Sequence, residues 1–480
     1  MQQYFMHEIE PERIRVLNDA AERQDGKYVV YWSQSSRRVD FNHGLSYAAS
    51  IANGHDLPLL VYEGLTCSYP SANDRLHTFV IEAVPETARQ LSGIGAGYFF
   101  YLRQKTGDPN NLVYRLAAKA RCVVTDDYPV FIPAVHNASV PEKIGVKFIA
   151  VDSNCIVPTG VYGKREYAAY TIRPRVRREL SRFLKPLRKV RLKHAWNEGL
   201  LPEDLRSLRT AVEADGVAAV VARAQINHAV TPSTSFHGGV KEARRKLRVF
   251  IEQKLKDYGK ASNQPSQHGT SELSPWLHFG HVSALEAALE VQEYAAEHGV
   301  DADKFLEELI VRRELAFNFA RYAEKVDSLS VLPEWCKKTL REHAKDERPQ
   351  VYSPVQLERA ETYDALWNAT QKEMLLRGKI HGYYRMYWGK KIIEWSRTHE
   401  EALRVMLHIH DVYALDGRDP NTYTNVLWCF GLHDRPWNER PVFGQIRYMS
   451  LDGMKRKTDV DAYIKQIAYL ERTGKEPWPA

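Results

Sequence analysis

The stretch YVVYWSQSS, residues 28–36, decides the fold of the first third of the chain. A short apolar run (28–32) ends in a polar turn. The pattern returns at 57–62, 98–102, 122–125 and 147–151, with amphipathic stretches such as 73–91 and 110–120 between. Short strands alternating with helical patterns predict βαβ units and a doubly wound parallel sheet, an α/β domain over residues 25–155. The turn Ser33-Gln34-Ser35-Ser36 has no G-x-G-x-x-G, so the ordinary dinucleotide fingerprint is missing and the fold by itself does not imply NAD.

Outward from this domain the character changes twice. Residues 156–240 hold a basic stretch, a short acidic helix pattern at 202–215 and a polar loop at 228–239, and read as a linker wrapped between two bodies. From 241 to 480, long segments (241–258, 284–298, 304–322, 381–397) carry apolar residues at helical period, which predicts an all-α domain.

The net charge of +7 is concentrated: residues 173–193 hold ten Lys or Arg against the single acid Glu179, and Arg244, Arg245, Lys246 and Arg248 form a second cluster. Such clusters are the footprint of a phosphate-binding surface, or equally of a solvated helical face. The five cysteines are scattered with no C-x-x-C pair, which argues against a disulfide framework and a zinc site; no metal is expected. No apolar run reaches eighteen residues and residues 1–10 lack a leader pattern, so a soluble intracellular protein without membrane attachment is expected.

Two features of the helical part carry chemistry. Eight tryptophans fall there, and Trp388 and Trp395, seven apart on one predicted helix, share nearly one face about 10.5 Å apart along the axis. That spacing suits stepwise electron hopping, and it equally suits core packing. The segment TSELSPWLHFG, 270–280, offers hydroxyls and backbone N–H groups just before a helix, either as a diphosphate cradle or as caps from Ser271 or Ser274.

The blocks SPWLHFG (274–280), EELIVRREL (307–315), LWNATQ (366–371), GKIHGYYRMYW (378–388), LDGRDPN (415–421) and GQIRYMS (444–450) resemble the signature of class II cyclobutane pyrimidine dimer photolyases, in the family's order and spacing. KREYAAYTIRP (164–174) is a weaker match nearer the N-terminus. The resemblance implies a U-shaped FAD in the helical domain, used in its reduced form, and light-driven splitting of a pyrimidine dimer flipped out of DNA. It implies that Tyr258 and the turn Thr270, Ser271, Glu272, Leu273 and Ser274 hold the flavin phosphates. Arg385, Asp416 and Asp419 would stand at the flavin, with His410 opposite its N5.

The same resemblance gives Glu308 the hydrogen bonds to the dimer and sets Met386 and Trp428 against it. Arg312, Arg435, Trp437 and Arg447 would contact DNA. Trp388, Trp367 and Trp395, in that order outward, would photoreduce the flavin, with Tyr352 beside them. The implied partner is dimer-containing DNA, bound by a monomer with no obligate protein partner, in the nucleoid or nucleus.

The chain departs from the family at several places. His410 stands where asparagine is usual, and histidine can accept a hydrogen bond from N5–H only when neutral. Phe317 replaces an aspartate and Ser262 an arginine, and one residue is missing between Trp428 and His433. The block SQSSRRVDFNHGL (33–45) lacks the family's acids and tryptophan, which leaves a deazaflavin-type antenna an open expectation. A cryptochrome-like photoreceptor with the same tryptophan row is the alternative reading; Glu308 and Trp428 favour repair and His410 favours the alternative.

Overall fold

A computed structural model describes residues 9–478; residues 1–8, part of the stretch read for a leader, and 479–480 lie outside the described residues. Six strands form one sheet in the order β1–β6–β5–β2–β3–β4: β1 Ile14–Val16, β2 Tyr28–Ser33, β3 Leu59–Thr66, β4 Gly97–Arg103, β5 Ala120–Asp126 and β6 Lys147–Val151. All neighbours pair in parallel except β1, which runs antiparallel to β6. Every residue of β2 is buried, because helices cover both faces. Val29 and Tyr31 pack towards α1 (His43–Gly54), while Tyr28, Val30 and Trp32 face α4 (Leu112–Ala117).

Four sequence expectations change here. β1 was not anticipated, since three residues carry no readable period. The helix expected over 73–91 is two, α2 (Asp74–Ile81) and α3 (Val84–Gly93), with Pro85 in the first turn of the second. The helix expected over 110–120 shortens to α4 because Ala120 already opens β5. The acidic helix expected over 202–215 becomes two single turns, Glu203–Arg206 and Val212–Asp215. Between them Thr210 bonds to β4, its N–H donating to the Phe100 carbonyl (3.0 Å) and its Oγ1 accepting from Leu102 N–H (2.9 Å), which covers an otherwise open sheet edge.

Residues 241–478 are largely helical, with no strand beyond an isolated bridge at Arg440 and Gly444. The pattern at 284–298 forms the helix Ala284–His298. Those at 241–258 and 304–322 are broken by π-helical turns at Phe250–Lys254 and Glu307–Arg312. The segment 156–240 is more than a strap: Ile172, Val176 and Phe183 of α5 (Ala169–Phe183) join Leu247, Trp276 and Leu285 in one core. Gly280, which ends SPWLHFG, has φ +75°, and a Cβ there would lie 1.9 Å from the Ser35 carbonyl oxygen, so glycine lets the two bodies meet. Arg38 ties the seam by donating to the carbonyls of Gly280 (3.0 Å) and Ser153 (2.7 Å).

Part of the charge in the basic clusters is neutralised within the fold. Arg173 pairs with Glu307, Arg175 with Glu166 and Arg182 with Glu12, while Leu187, Val190 and Leu192 pack against the sheet's core. Arg244 bridges Glu286 and Asp40, Arg245 pairs with Glu242, and Lys246 is buried. Several of the neutralising acids, Glu307, Glu12, Glu286 and Asp40, come from distant parts of the chain. Phe317 sits in an apolar cluster with Tyr128, Val130 and Tyr423, under the Arg313 guanidinium at 4.4 Å. Ser262 is buried, its hydroxyl accepting from Lys304 at 2.5 Å, and so does not point outward as the family's arginine would.

Candidate active site

A cavity of about 360 Å³ opens in the helical part. At its base Arg385 Nη2 lies 3.0 Å from both carboxylate oxygens of Asp416, and Ser274 Oγ donates to Asp416 Oδ2 at 2.7 Å. Burial alone would raise the Asp416 carboxyl, but Arg385, Lys379 and the Ser274 bond outweigh it and hold it well below the usual carboxylate range. Lys379, half-buried on the cavity wall, is a site residue that sequence reasoning missed although it lies inside the GKIHGYYRMYW block. The glycine of LDGRDPN has a steric cause: a Cβ on Gly417 would stand 2.3 Å from the His410 carbonyl oxygen.

The turn 270–274 lines the same cavity, and its geometry excludes the simple capping alternative. Leu273 is the N-cap of the helix Ser274–Phe279 and makes no side-chain cap, Ser274 is committed to Asp416, and Ser271 reaches Leu273 N–H only at 3.5 Å. Glu272, at φ +56°, places its carboxylate on the buried Arg377 (2.8 Å). Burial opposes that charge, yet Arg377 holds the Glu272 carboxyl down to about 2. Glu272 thus anchors the turn instead of offering a ligand. Asp419 also lines the cavity, but its carboxylate is already engaged by Asn421 N–H (2.8 Å), Tyr128 hydroxyl (2.8 Å) and His278 (3.2 Å).

At the mouth, the exposed Glu308 accepts a short hydrogen bond from the Tyr258 hydroxyl. Burial and that carboxylate both push the Tyr258 phenol far above its ordinary value, so it remains a donor. Tyr258 lines the same cavity as the 270–274 turn, with its hydroxyl committed to Glu308. Sequence spacing alone would pair Glu308 with Arg312 as i, i+4 helix neighbours. The π-helical turn rotates that register: the exposed Arg312 lies 3.9 Å from Glu307, and Glu308 is freed for the cavity.

His410 lies on the helix His399–Tyr413, buried edge-on against Trp388 with ring centroids 4.9 Å apart. Burial first, then the nearby Arg385, lowers its pKa to about 4, so the ring is neutral at ordinary pH. Its Nδ1–H donates to the Met406 carbonyl at 2.9 Å, which fixes the tautomer and leaves Nε2 as an acceptor. That Nε2 is buried without a partner, as is Arg385 Nε, a donor.

Behind His410 the tryptophans form a continuous row. Trp367, from the helix Ala365–Arg377, slots between the two tryptophans of the helix Gly382–Trp395: it stacks on Trp388 (6.3 Å, 3° between planes) and meets Trp395 at 5.6 Å. The 10.5 Å gap expected along one helix is thus bridged in two shorter steps. Tyr352 follows at 5.3 Å from Trp395.

Near the mouth, Met386 lines the cavity and Trp428 is half-buried, flanked by Lys390 Nζ at 5.0 Å and the Arg447 guanidinium at 5.3 Å. Arg447 also lies 4.2 Å from the exposed Trp437, which Arg435 meets on its own account at 4.9 Å. The structure therefore joins Trp428, Arg447, Trp437 and Arg435 in one aromatic and cationic patch. Among the described residues no group of three or more His, Cys, Asp or Glu is placed to hold a metal, and no helix is long and apolar enough to cross a membrane. All five cysteines are free and buried.

Over 463 residues the chain is 40% identical to a deoxyribodipyrimidine photo-lyase of Methanothermobacter thermautotrophicus, covering 96% of this chain and 99% of the relative. The chain belongs to the deoxyribodipyrimidine photo-lyase family. A second member, from Potorous tridactylus, is 35% identical over 468 residues, 95% of this chain and 84% of its own. A Synechocystis cryptochrome superimposes with TM-score 0.69 at 15% identity, covering 92% of this chain and 88% of its own. An archaeal photolyase from Sulfolobus tokodaii, solved with two FAD molecules and implicating a novel light-harvesting cofactor, does so with TM-score 0.65 at 16% identity, covering 94% and 95%. These two likenesses establish the photolyase and cryptochrome fold. No protein-family model matches the chain.

This photolyase-family chain has a second cavity, of about 300 Å³, at the C-terminal ends of β2, β3 and β4. Trp32 is stacked with Tyr62 at 6.1 Å and lies 4.9 Å from His136, with Tyr101 and Phe131 completing the wall and His278 and Phe279 closing it from the helical side. Burial lowers the His136 pKa to about 4. The loop after β2 presents three consecutive N–H groups, from Gln34, Ser35 and Ser36, and all three donate to Asp126 Oδ2 at 2.8–3.0 Å. A carboxylate thus fills the place where a dinucleotide-binding sheet takes its phosphate. Sequence reasoning did not locate this cavity; its one signal was aromatic residues at strand ends, where open α/β sheets bind ligands.

Proposed function

We propose that this chain uses light to split cyclobutane pyrimidine dimers in DNA, with FAD in the helical cavity as its cofactor and a class II mode of substrate handling. The observation that carries the reading is one cavity that joins the Arg385–Asp416 pair and its open turn to the Glu308 mouth, with the buried tryptophan row ending at His410 within electrostatic reach of that pair. Partnerless His410 Nε2 and Arg385 Nε supply an acceptor and a donor of the kind that a flavin ring edge needs. Reduced FAD, when bound, supplies the electron that light moves to the dimer and that returns once the cyclobutane ring has opened.

The remaining work belongs to side chains. Asp416 fixes the Arg385 guanidinium, and the pair sets the local field at the cofactor. Lys379 and the 270–274 turn receive phosphate oxygens, with Arg377 holding the turn through Glu272. Glu308, steadied by Tyr258, accepts hydrogen bonds from the base edges of the flipped dimer, while Met386 and Trp428 pack against its faces. Arg435, Trp437 and Arg447 engage the DNA around the vacated position. In the sheet-end cavity the same reading places an antenna chromophore between planar side chains, a role that the two-FAD Sulfolobus structure makes concrete for that protein.

The test is a thymine-dimer oligonucleotide incubated with FAD-loaded, reduced protein under blue light. Restoration of intact thymines in light and not in the dark is expected. Flavin photoreduction without restoration would replace this reading with the photoreceptor.

A further inference from the structure

Beyond Trp395 the aromatic row has two continuations, and one of them reaches water. Tyr352 lies 5.3 Å from Trp395 and is 9% exposed; Tyr363 lies 5.5 Å from Trp395 and is 66% exposed, the most exposed large side chain of its kind among the described residues. Tyr363 is held firmly in place. Its own N–H donates to the Tyr352 hydroxyl (2.9 Å), the preceding Thr362 bonds to Asn368, and the following Asp364 caps the helix that carries Trp367.

The row itself offers no resting place for a positive charge at its outer end. The indole N–H of Trp388 donates to Gln371 Oε1 (2.9 Å) and that of Trp367 to the Trp388 carbonyl (3.0 Å), whereas Trp395 Nε1 is buried without an acceptor. Lys391 Nζ stands 5.5 Å from the Trp395 ring, and its pairing with Glu394 (2.6 Å) offsets only part of that cation's repulsion. An oxidised Trp395 would therefore face an ammonium with no protein group placed to take its proton. A phenol in water can shed its proton at the moment it is oxidised.

We propose that Tyr363 is the surface exit of the tryptophan row, the residue on which the hole left by cofactor photoreduction comes to rest as a neutral tyrosyl radical. The inference rests on the flavin reading above. In the balanced step one electron passes from Tyr363 through Trp395, Trp367 and Trp388 to the photoexcited, oxidised cofactor. The Tyr363 O–H bond breaks and water takes the proton. An external thiol restores the residue: each thiolate returns one electron, water returns the proton, and two oxidised thiols join as a disulfide.

The experiment is flash photolysis of the FAD-loaded full chain in its oxidised state, followed by time-resolved absorption. Wild type and Y352F are expected to give the tyrosyl signal, formed more slowly in D₂O than in H₂O. Y363F is expected to lose it, its tryptophan radical decaying by recombination, with an unchanged bound-flavin spectrum reporting an intact fold. Photoreduction by dithiothreitol in continuous light should be slower in Y363F than in Y352F. A tyrosyl signal of wild-type size in Y363F, or its loss in Y352F alone, overturns the proposal. A wild type that stays colourless with added FAD overturns both the functional reading and this one, and is told apart before any flash.

Discussion

The helical cavity is rimmed with charge from Arg385, Asp416, Lys379 and Glu308, whereas the sheet-end cavity is walled by Trp32, Tyr62, Tyr101 and Phe131 around a neutral His136. The arginines of the second are spoken for: Arg37 pairs with Glu63, Arg103 donates to backbone carbonyls, and Arg418 donates to the carbonyls of Asp411 and Ala414. The first keeps a partnerless Arg385 Nε and an exposed carboxylate, Glu308. A cavity that manages moving charge needs open polar groups with fixed protonation, while one that only holds a planar molecule needs flat apolar walls. Under the proposed function the two bodies divide reaction from reception.

The sharpest way to break this contrast is Asp416→Asn. It leaves the half-buried Arg385 guanidinium without its counter-charge, at a cost of about 3 kcal/mol or less in urea unfolding, and FAD should wash out of the helical cavity. Retained flavin and unchanged stability would show that the pair is not the anchor. Trp367→Phe removes the middle step of the row, so photoreduction should be lost while chemically reduced protein still repairs; light-driven reduction at the wild-type rate would contradict the row.

A smaller effect is expected from Glu308→Gln. Repair per absorbed photon should fall about ten-fold, the equivalent of one charge-assisted hydrogen bond, with flavin content unchanged. Trp32→Ala is the counterpart in the other cavity: it should abolish any antenna contribution to the action spectrum and leave repair through directly excited flavin intact.

The smallest effect concerns pH. Burial depresses the pKa of His77, His136 and His410 to about 4 from an ordinary 6.5. Between those values the unfolded chain binds protons on these residues that the folded chain refuses, so their contribution to stability is constant above 6.5 and falls as acid is added down to about 4. Each histidine contributes a slope of about 1.4 kcal/mol per pH unit, and unfolding of wild type against His410→Asn should differ by one such slope. Because His410 is neutral near pH 7, the flavin potentials of the two proteins should run parallel there and diverge only as pH approaches 4.

How much of this was legible in the sequence depended on whether the partners lay close along the chain. Trp388 and Trp395 declared their shared face by spacing, and the signature blocks located the turn, Arg385 and Asp416. Trp367 enters their gap from another helix, and Tyr258 finds Glu308 across fifty residues, so neither contact has a local signal. The basic run left two readings level because Glu307, Glu166 and Glu12, which pair with three of its arginines, lie outside it. The sheet-end cavity drew its wall from three strand ends and a helix. Tyr363 carries no local signal of its place 5.5 Å from Trp395.

The central claim is that cofactor and lesion meet in the helical cavity. A crystal structure of the FAD-loaded chain with a thymine-dimer duplex tests it most directly. The account predicts flavin density beside Arg385 and Asp416 and the flipped dimer between Glu308 and Trp428. Flavin in the sheet-end cavity alone, or the dimer bound on another face, would contradict it.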